Sequence, residues 1–160
     1  MSNIRRYYVP DSIVFITVVT KDRRSDFIEP ISIRFFWETI KLVQKFHPFE
    51  LIAYVILPDH FHWLIKPEND ASNFSSIMHS FKRNFTLNIK KAHGLSDSLH
   101  YWQSGFWDRV IRSEKEFVRC IRYIHWNPVK HRYVNLPEEW PHSSHSNWSD
   151  LIEDRKLGQV

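Results

Sequence analysis

The sequence predicts an α+β fold: a ferredoxin-like βαββαβ sandwich with an antiparallel sheet and an added C-terminal helix that bears a tyrosine. Three observations carry this reading. Runs rich in β-branched and aromatic residues, of strand length, occur over Val14 to Thr20, in FELIAYVIL and in HFHWLIK. Two longer stretches instead space their apolar residues three and four apart. The order is strand, helix, strand, strand, helix, strand, with one more helix after it.

FITVVT and its neighbours make the first strand, and the charged turn KDRRSD follows. After Pro30, the stretch ISIRFFWETIKLVQKF puts Ile33, Phe36, Trp37, Ile40 and Val43 on one helical face, and Pro48 stops it. FELIAYVIL and HFHWLIK are strands joined by a tight turn at Pro58-Asp59, which suits an antiparallel pair. Ser72 or Asn73 can cap a long helix carrying Phe74, Ile77, Phe81, Phe85 and Ile89, and Gly94 ends it. The second half of YWQSGFWDRVIRS reads as a fourth strand. Ser113 and Glu116 form a capping box for EKEFVRCIRYIHW, while Pro128 disfavours helix beyond Asn127. From Tyr133 onward the chain reads as loop with short ordered pieces. One domain is expected over residues 1–150, with a C-terminal tail over 151–160.

A chain of 160 residues, 42% hydrophobic and 16% aromatic, suits one packed domain rather than a disordered segment. A net charge of +4 points to an anionic partner, nucleic acid before membrane, because no lysine-rich amphipathic stretch stands out. Cys120 is the single cysteine, so no internal disulfide can form and a reducing cytoplasm is the expected location. The N-terminus lacks the apolar segment of a secretory signal, and no run is long enough to cross a bilayer.

The chemistry concentrates in LPDHFHWLIKP. On a strand, residues two apart point the same way and lie roughly 6 to 7 Å apart along the chain. His60 and His62 therefore project together, while Phe61 and Trp63 face the opposite side, where helices can cover them. Two neutral imidazoles on one face can bind a divalent metal at about 2 Å. Asp59 can accept a hydrogen bond from one imidazole, or cap the turn. On the last helix, Phe117, Ile121 and Ile124 form the apolar stripe, and Tyr123 lies off it. Asn127 sits one turn beyond Tyr123, and Cys120 and Glu116 flank the same face. Taken alone, Tyr123 reads more readily as a tyrosine at the core rim and Asn127 as a residue ending a helix. Together with the histidines they describe a metal held by His60, His62 and Asn127 that polarises a phosphodiester while the Tyr123 hydroxyl attacks it. The products would be a 5′-phosphotyrosine link and a free 3′-hydroxyl.

This constellation resembles the HUH single-strand nucleases, with His60-Phe61-His62 as the motif. More closely, the chain is similar to the REP-associated tyrosine transposases, relatives of the small single-tyrosine transposases of insertion sequences. The matching pieces are LPDHFHWLIKP, YWQSGFWDRVIR, YIHWNP and EEWPHSS, in the family's order over about residues 12 to 148. The resemblance implies a ferredoxin-like fold, Mg²⁺ or Mn²⁺ dependence, and cleavage and joining of single-stranded DNA beside short palindromes that fold as hairpins. It makes Tyr123 the nucleophile and His60 and His62 metal ligands. The insertion-sequence relatives have glutamine four residues after the tyrosine; here Asn127 stands there, as is usual in the REP-associated branch.

For contact with the DNA backbone the candidates are Arg109, Arg112, Lys82, Arg83, Arg5 and Arg6, with Arg23, Arg24, Lys90 and Lys91 behind them. Arg109 and Arg112 rank high on the expectation that their strand adjoins the histidine strand. Tyr7, Tyr8, Trp102 and Trp107 can stack on unpaired bases or pack in the interior. Two rivals use the same scaffold: a non-catalytic regulator that binds hairpin DNA, and a metal-dependent hydrolase using water. The partner expected is single-stranded or hairpin DNA, with no membrane, and the chain acts as a monomer or homodimer.

Overall fold

Alternation along the strands decides how the layers assemble. A computed structural model describes residues 11–69, 73–95 and 99–152. Strands β1 (Val14–Val19), β2 (Phe49–Ile56), β3 (His60–Pro67) and β4 (Trp107–Val110) form one sheet in the order β2-β3-β1-β4, every neighbour antiparallel. Val14, Ile16 and Val18 of β1 and Phe61, Trp63 and Ile65 of β3 point to one face, where α1 (Pro30–Phe46) and α2 (Phe74–His93) cover them. Phe15 and Leu64 point to the other face and pack on Ile121 and Ile124 of α3 (Glu114–Lys130). The expected βαββαβ sandwich with an added helix is thus the observed architecture, and α3 alone of the long helices lies on the histidine side.

In β2 an extra residue, Ile52, interrupts the register between Leu51 and Ala53. This bulge shifts the phase of the strand, so Ala53 and Val55 face α3 instead of α1 and α2. At the end of α2, Asn73 accepts a hydrogen bond from the Ser76 amide, and Gly94 closes the helix in the left-handed conformation at φ 61°. Ser72, the alternative cap, lies outside the described residues, as do Arg5, Arg6, Tyr7 and Tyr8.

Two details of α3 differ from expectation. The helix runs on through Pro128 to Lys130, where the sequence suggested an end at Asn127. Proline forfeits one amide, but here that loss falls in the last turn. The next turn is held by the His131 amide donating to the Asn127 carbonyl at 3.0 Å and the Arg132 amide donating to Val129 at 2.9 Å. At the other end, Ser113 accepts from the Glu116 amide as expected, but the Glu116 carboxylate reaches back to the Arg112 amide at 2.8 Å. The carboxylate also pairs with Arg109, which draws it away from the Ser113 backbone.

Past α3 the chain makes single helical turns at Pro137–Glu139 and His145–Asn147 before the short helix α4 (Ser149–Ile152). Ser144 in this segment links α3 to β2. The Tyr54 amide donates to Ser144 Oγ at 2.9 Å, and Ser144 Oγ donates in turn to His125 Nε2 at 2.8 Å. His125 Nδ1 donates to the Ile121 carbonyl at 2.7 Å, which fixes the tautomer. Replacing Ser144→Ala leaves the buried Tyr54 amide and His125 Nε2 without this partner, a cost of about 1–3 kcal/mol. Urea unfolding should report a loss in that range; an unchanged midpoint would show that the link carries no weight.

Candidate functional site

β3 turns His60 and His62 toward α3, and both rings are buried. Their centroids lie 5.0 Å apart. Each Nδ1 is engaged. His60 Nδ1 bonds to Asp59 Oδ1 at 2.6 Å, and His62 Nδ1 shares a 2.7 Å hydrogen bond with Thr17 Oγ1 of β1. Phe15, two residues before Thr17 and on the same face, stacks on His62 with centroids 5.4 Å apart. With Nδ1 protonated and donating, the Nε2 lone pair of each imidazole is left to point away from these anchors.

Asp59 is itself held. Arg23 Nη1 donates to its Oδ2 at 3.1 Å. Burial pushes the Asp59 carboxyl up, but the hydrogen bonds and charges of His60 and Arg23 outweigh it and keep the group below its usual range. The residue is therefore an anionic anchor for His60 as well as part of the turn.

Helix α3 brings Tyr123 over this face. Its ring sits 5.2 Å from that of His62 and 5.7 Å from that of Phe15, yet the residue is 42% exposed. A phenol wedged against the histidines and still open to solvent can meet a large substrate. One turn on, Asn127 is 1% exposed, and neither its amide nitrogen nor its carbonyl oxygen has a hydrogen-bond partner. His62 Nε2 is likewise buried and unpartnered. Buried polar atoms without partners cost free energy, so their grouping marks a place built for something else to bind. Among the described residues, no three His, Cys, Asp or Glu side chains are arranged to hold a metal; a third donor at the histidine pair would have to be an amide such as that of Asn127.

Burial first, then electrostatic coupling to His60, His131 and Lys130, pushes the His62 pKa down to about 3, with Asn127 opposing the shift. The ring is neutral at physiological pH, the form a metal requires.

Two residues at this site escaped the sequence reading because they lie beyond Pro128. Lys130 holds its ammonium 5.3 Å from the Tyr123 ring centroid, and the His131 ring lies 5.2 Å from that of His60. Thr17 also escaped, since a threonine among valines reads simply as strand.

The other expectations divide. β4 pairs with β1, so β1 stands between it and the histidine strand; the expected adjacency of Arg109 and Arg112 to β3 is incorrect. The cause is topological, because the central places in the sheet are filled by β1 and β3. Arg109 nevertheless faces the α3 side, opposite Phe15 in register, where it pairs with Glu116. Trp107 pairs with Thr17, which pairs with His62, so the three stand in one row across the sheet, and Trp107 is 55% exposed. Trp102 is a core residue. Lys82 Nζ donates to the Gln103 and Gly105 carbonyls at 2.9 and 2.7 Å, staying in a groove also lined by Lys21, His79, Arg83 and Lys90. Cys120 is half-buried against the α3 core, and burial pushes its thiol pKa up, which disfavours the thiolate.

Comparison with known proteins fits this geometry. The family described as "Transposase IS200 like" matches residues 9–126. An Escherichia coli K12 protein named REP-associated tyrosine transposase is 37% identical over 146 residues, covering 90% of this chain and 82% of its own. The chain belongs to the REP-associated tyrosine transposases. A Haemophilus influenzae protein provisionally given that name is 35% identical over 152 residues, 90% of this chain and 85% of its own. A solved structure of a REP-associated tyrosine transposase bound to a REP hairpin superposes with a TM-score of 0.80 at 33% identity, covering 94% of this chain and 86% of that one. Among the described residues of this transposase relative, no helix is long and apolar enough to cross a membrane.

The buried histidines predict acid sensitivity. Burial drives the His62 pKa to about 3 and that of His125 to about 4, against an ordinary 6.5. The unfolded chain takes up these protons as pH falls through about 6.5, while the folded chain resists until far lower, so stability is full above that value and declines below it. Thermal unfolding in metal-free buffer should show a lower midpoint at pH 5 than at pH 7. An equal or higher midpoint at pH 5 would contradict the burial argument.

Proposed function

We infer that this transposase-family protein is a metal-dependent single-stranded DNA endonuclease and strand transferase, acting beside REP-like hairpins through a 5′-phosphotyrosine intermediate. The observation that carries the reading is the 5.2 Å approach of the Tyr123 ring to the His62 ring within one chain, beside unpartnered polar atoms of His62 and Asn127.

The residues present fit a divalent cation. His60 and His62 offer Nε2 lone pairs, and the buried, unbonded Asn127 carbonyl oxygen is a hard donor suited to Mg²⁺ or Mn²⁺. A bound ion of this kind supplies charge neutralisation at phosphoryl oxygens and at the departing 3′ oxygen. Asp59 and Thr17 orient the two imidazoles and raise their basicity. Phe15 walls the phenol and His62 from one side. Tyr123 Oη attacks phosphorus, the bond to the 3′ oxygen breaks, and the new ester conserves the bond energy needed for rejoining. With histidines and phenol in one chain, the tyrosine acts on its own subunit's site whether the protein is a monomer or a homodimer.

For the DNA, the groove with Lys21, His79, Lys82, Arg83 and Lys90 offers cations for phosphates. Its wall is tied to the histidine strand through β1: the Gln103 amide donates to the Val19 carbonyl, and Val19 pairs with His60. Trp107 is an exposed platform on which an unpaired base can stack at the other side of the same row. The solved relative's REP hairpin supports a hairpin as the ligand.

The test is to incubate labelled single-stranded hairpin DNA with protein and Mg²⁺ or Mn²⁺, then denature. A covalent adduct should form, and Tyr123→Phe should abolish it while retaining hairpin binding. Cleavage that survives the substitution without an adduct would mean water hydrolysis; binding without cleavage would mean a regulator. Separately, Thr17→Val should weaken Mn²⁺ binding about 10–100-fold in calorimetry. Unchanged affinity would show that Thr17 does not orient a metal-ligating His62.

A further inference from the structure

Lys130 is an exposed residue at the end of α3 whose ammonium lies over the site. Its ammonium is 5.3 Å from the Tyr123 ring centroid. The same Tyr123 ring lies 5.2 Å from that of His62, so the cation, the phenol and the histidine pair stand together. Seven residues separate Lys130 from Tyr123, which returns a helix to nearly the same face. It is there only because α3 continues through Pro128. Among the described residues, Arg23 pairs with Asp59, Arg24 with Asp26 and Arg109 with Glu116, but no carboxylate pairs with Lys130. A cation over a phenol that itself abuts the histidine pair, without a carboxylate partner, is arranged for an anion that arrives from outside.

We propose that Lys130 is a catalytic residue whose ammonium pairs with the non-bridging oxygens of the phosphodiester that Tyr123 attacks. This rests on the strand-transfer reading above and assigns it a further group. In the step, Tyr123 Oη forms a bond to phosphorus and the bond from phosphorus to the 3′ oxygen breaks. The phenol proton leaves to solvent and the 3′ oxygen takes one from solvent, so the proton count is unchanged. Lys130 remains an ammonium throughout. It gains strength as charge concentrates on the phosphoryl oxygens, so it favours the transition state over simple binding. It also lies on the phenol, where it stabilises negative charge on the attacking oxygen.

The test compares wild type, Lys130→Met and Lys130→Arg in single-turnover adduct formation with saturating labelled hairpin DNA. Hairpin affinity is measured in the Tyr123→Phe background, with and without each change. Lys130→Met should slow adduct formation about 10–100-fold, less than the loss of a fully buried donor because this group is exposed. Its hairpin Kd should stay within about threefold, since one phosphate contact contributes little among many. Lys130→Arg, which keeps the charge, should recover most of the rate. An unchanged rate in Lys130→Met overturns the proposal. So does a rate loss confined to subsaturating DNA, because Lys130 would then be only a backbone contact; a rate loss at saturation that Lys130→Arg leaves unrecovered overturns it too. If wild type itself forms no adduct, the strand-transfer reading falls together with the proposal; if wild type forms one and Lys130 has no influence on it, only the proposal falls.

Discussion

The two-residue period of β3 is the constraint on which the site depends. Phe61 and Trp63 are fully buried beneath α1 and α2, and that burial dictates that His60 and His62 face the opposite way. A slip of one residue would put both imidazoles into the aromatic core and both aromatics under α3. Such a slip is opposed from both edges, because β3 pairs with β1 over Val14 to Val19 and with β2 over most of its length. The chain thus secures an unfavourable arrangement, two buried imidazoles side by side, by tying it to the most favourable packing it has.

A second element completes the arrangement by closing over it. Helix α3 is fixed on its side of the sheet by specific links: Ile121 and Ile124 against Phe15 and Leu64, Arg122 and Trp126 to the α4 carbonyls, and the Tyr54–Ser144–His125 hydrogen bonds. These links leave the outer part of the face, with Tyr123 and Lys130, open while sealing Asn127 inside. Burying an unpartnered amide beside an unpartnered imidazole is destabilising in the free protein. That cost is understandable where a ligand is meant to satisfy both, and it makes the site a place where stability is traded for binding.

Much of this was legible in the sequence, for definite reasons. Strand alternation separated the histidines from Phe61 and Trp63, and helical spacing set Tyr123 apart from the Ile121 and Ile124 stripe while placing it beside Asn127. What stayed hidden depended on contacts between distant segments. Thr17 looks like any strand residue until the β1–β3 register sets it against His62. Lys130 and His131 were concealed by Pro128, whose local rule was overridden by the capping of the last turn. The partner strand of β4 was misjudged because order within a sheet is a matter of topology, which local patterns do not encode. In the same way, Lys82 reads as a surface charge, although it is bonded to two loop carbonyls.

Paired imidazoles and a solvent-open phenol meet within a single chain. Subunit complementation tests this arrangement most directly. A Tyr123→Phe chain, which keeps the histidines, is mixed with a His60→Ala, His62→Ala chain, which keeps the tyrosine, and the mixture is given labelled hairpin DNA with Mn²⁺. No adduct is expected on either chain beyond that of each variant alone, with wild type active alongside. Label appearing on the tyrosine-bearing chain only in the mixture would contradict it, because the phenol would then be serving a neighbour's histidines.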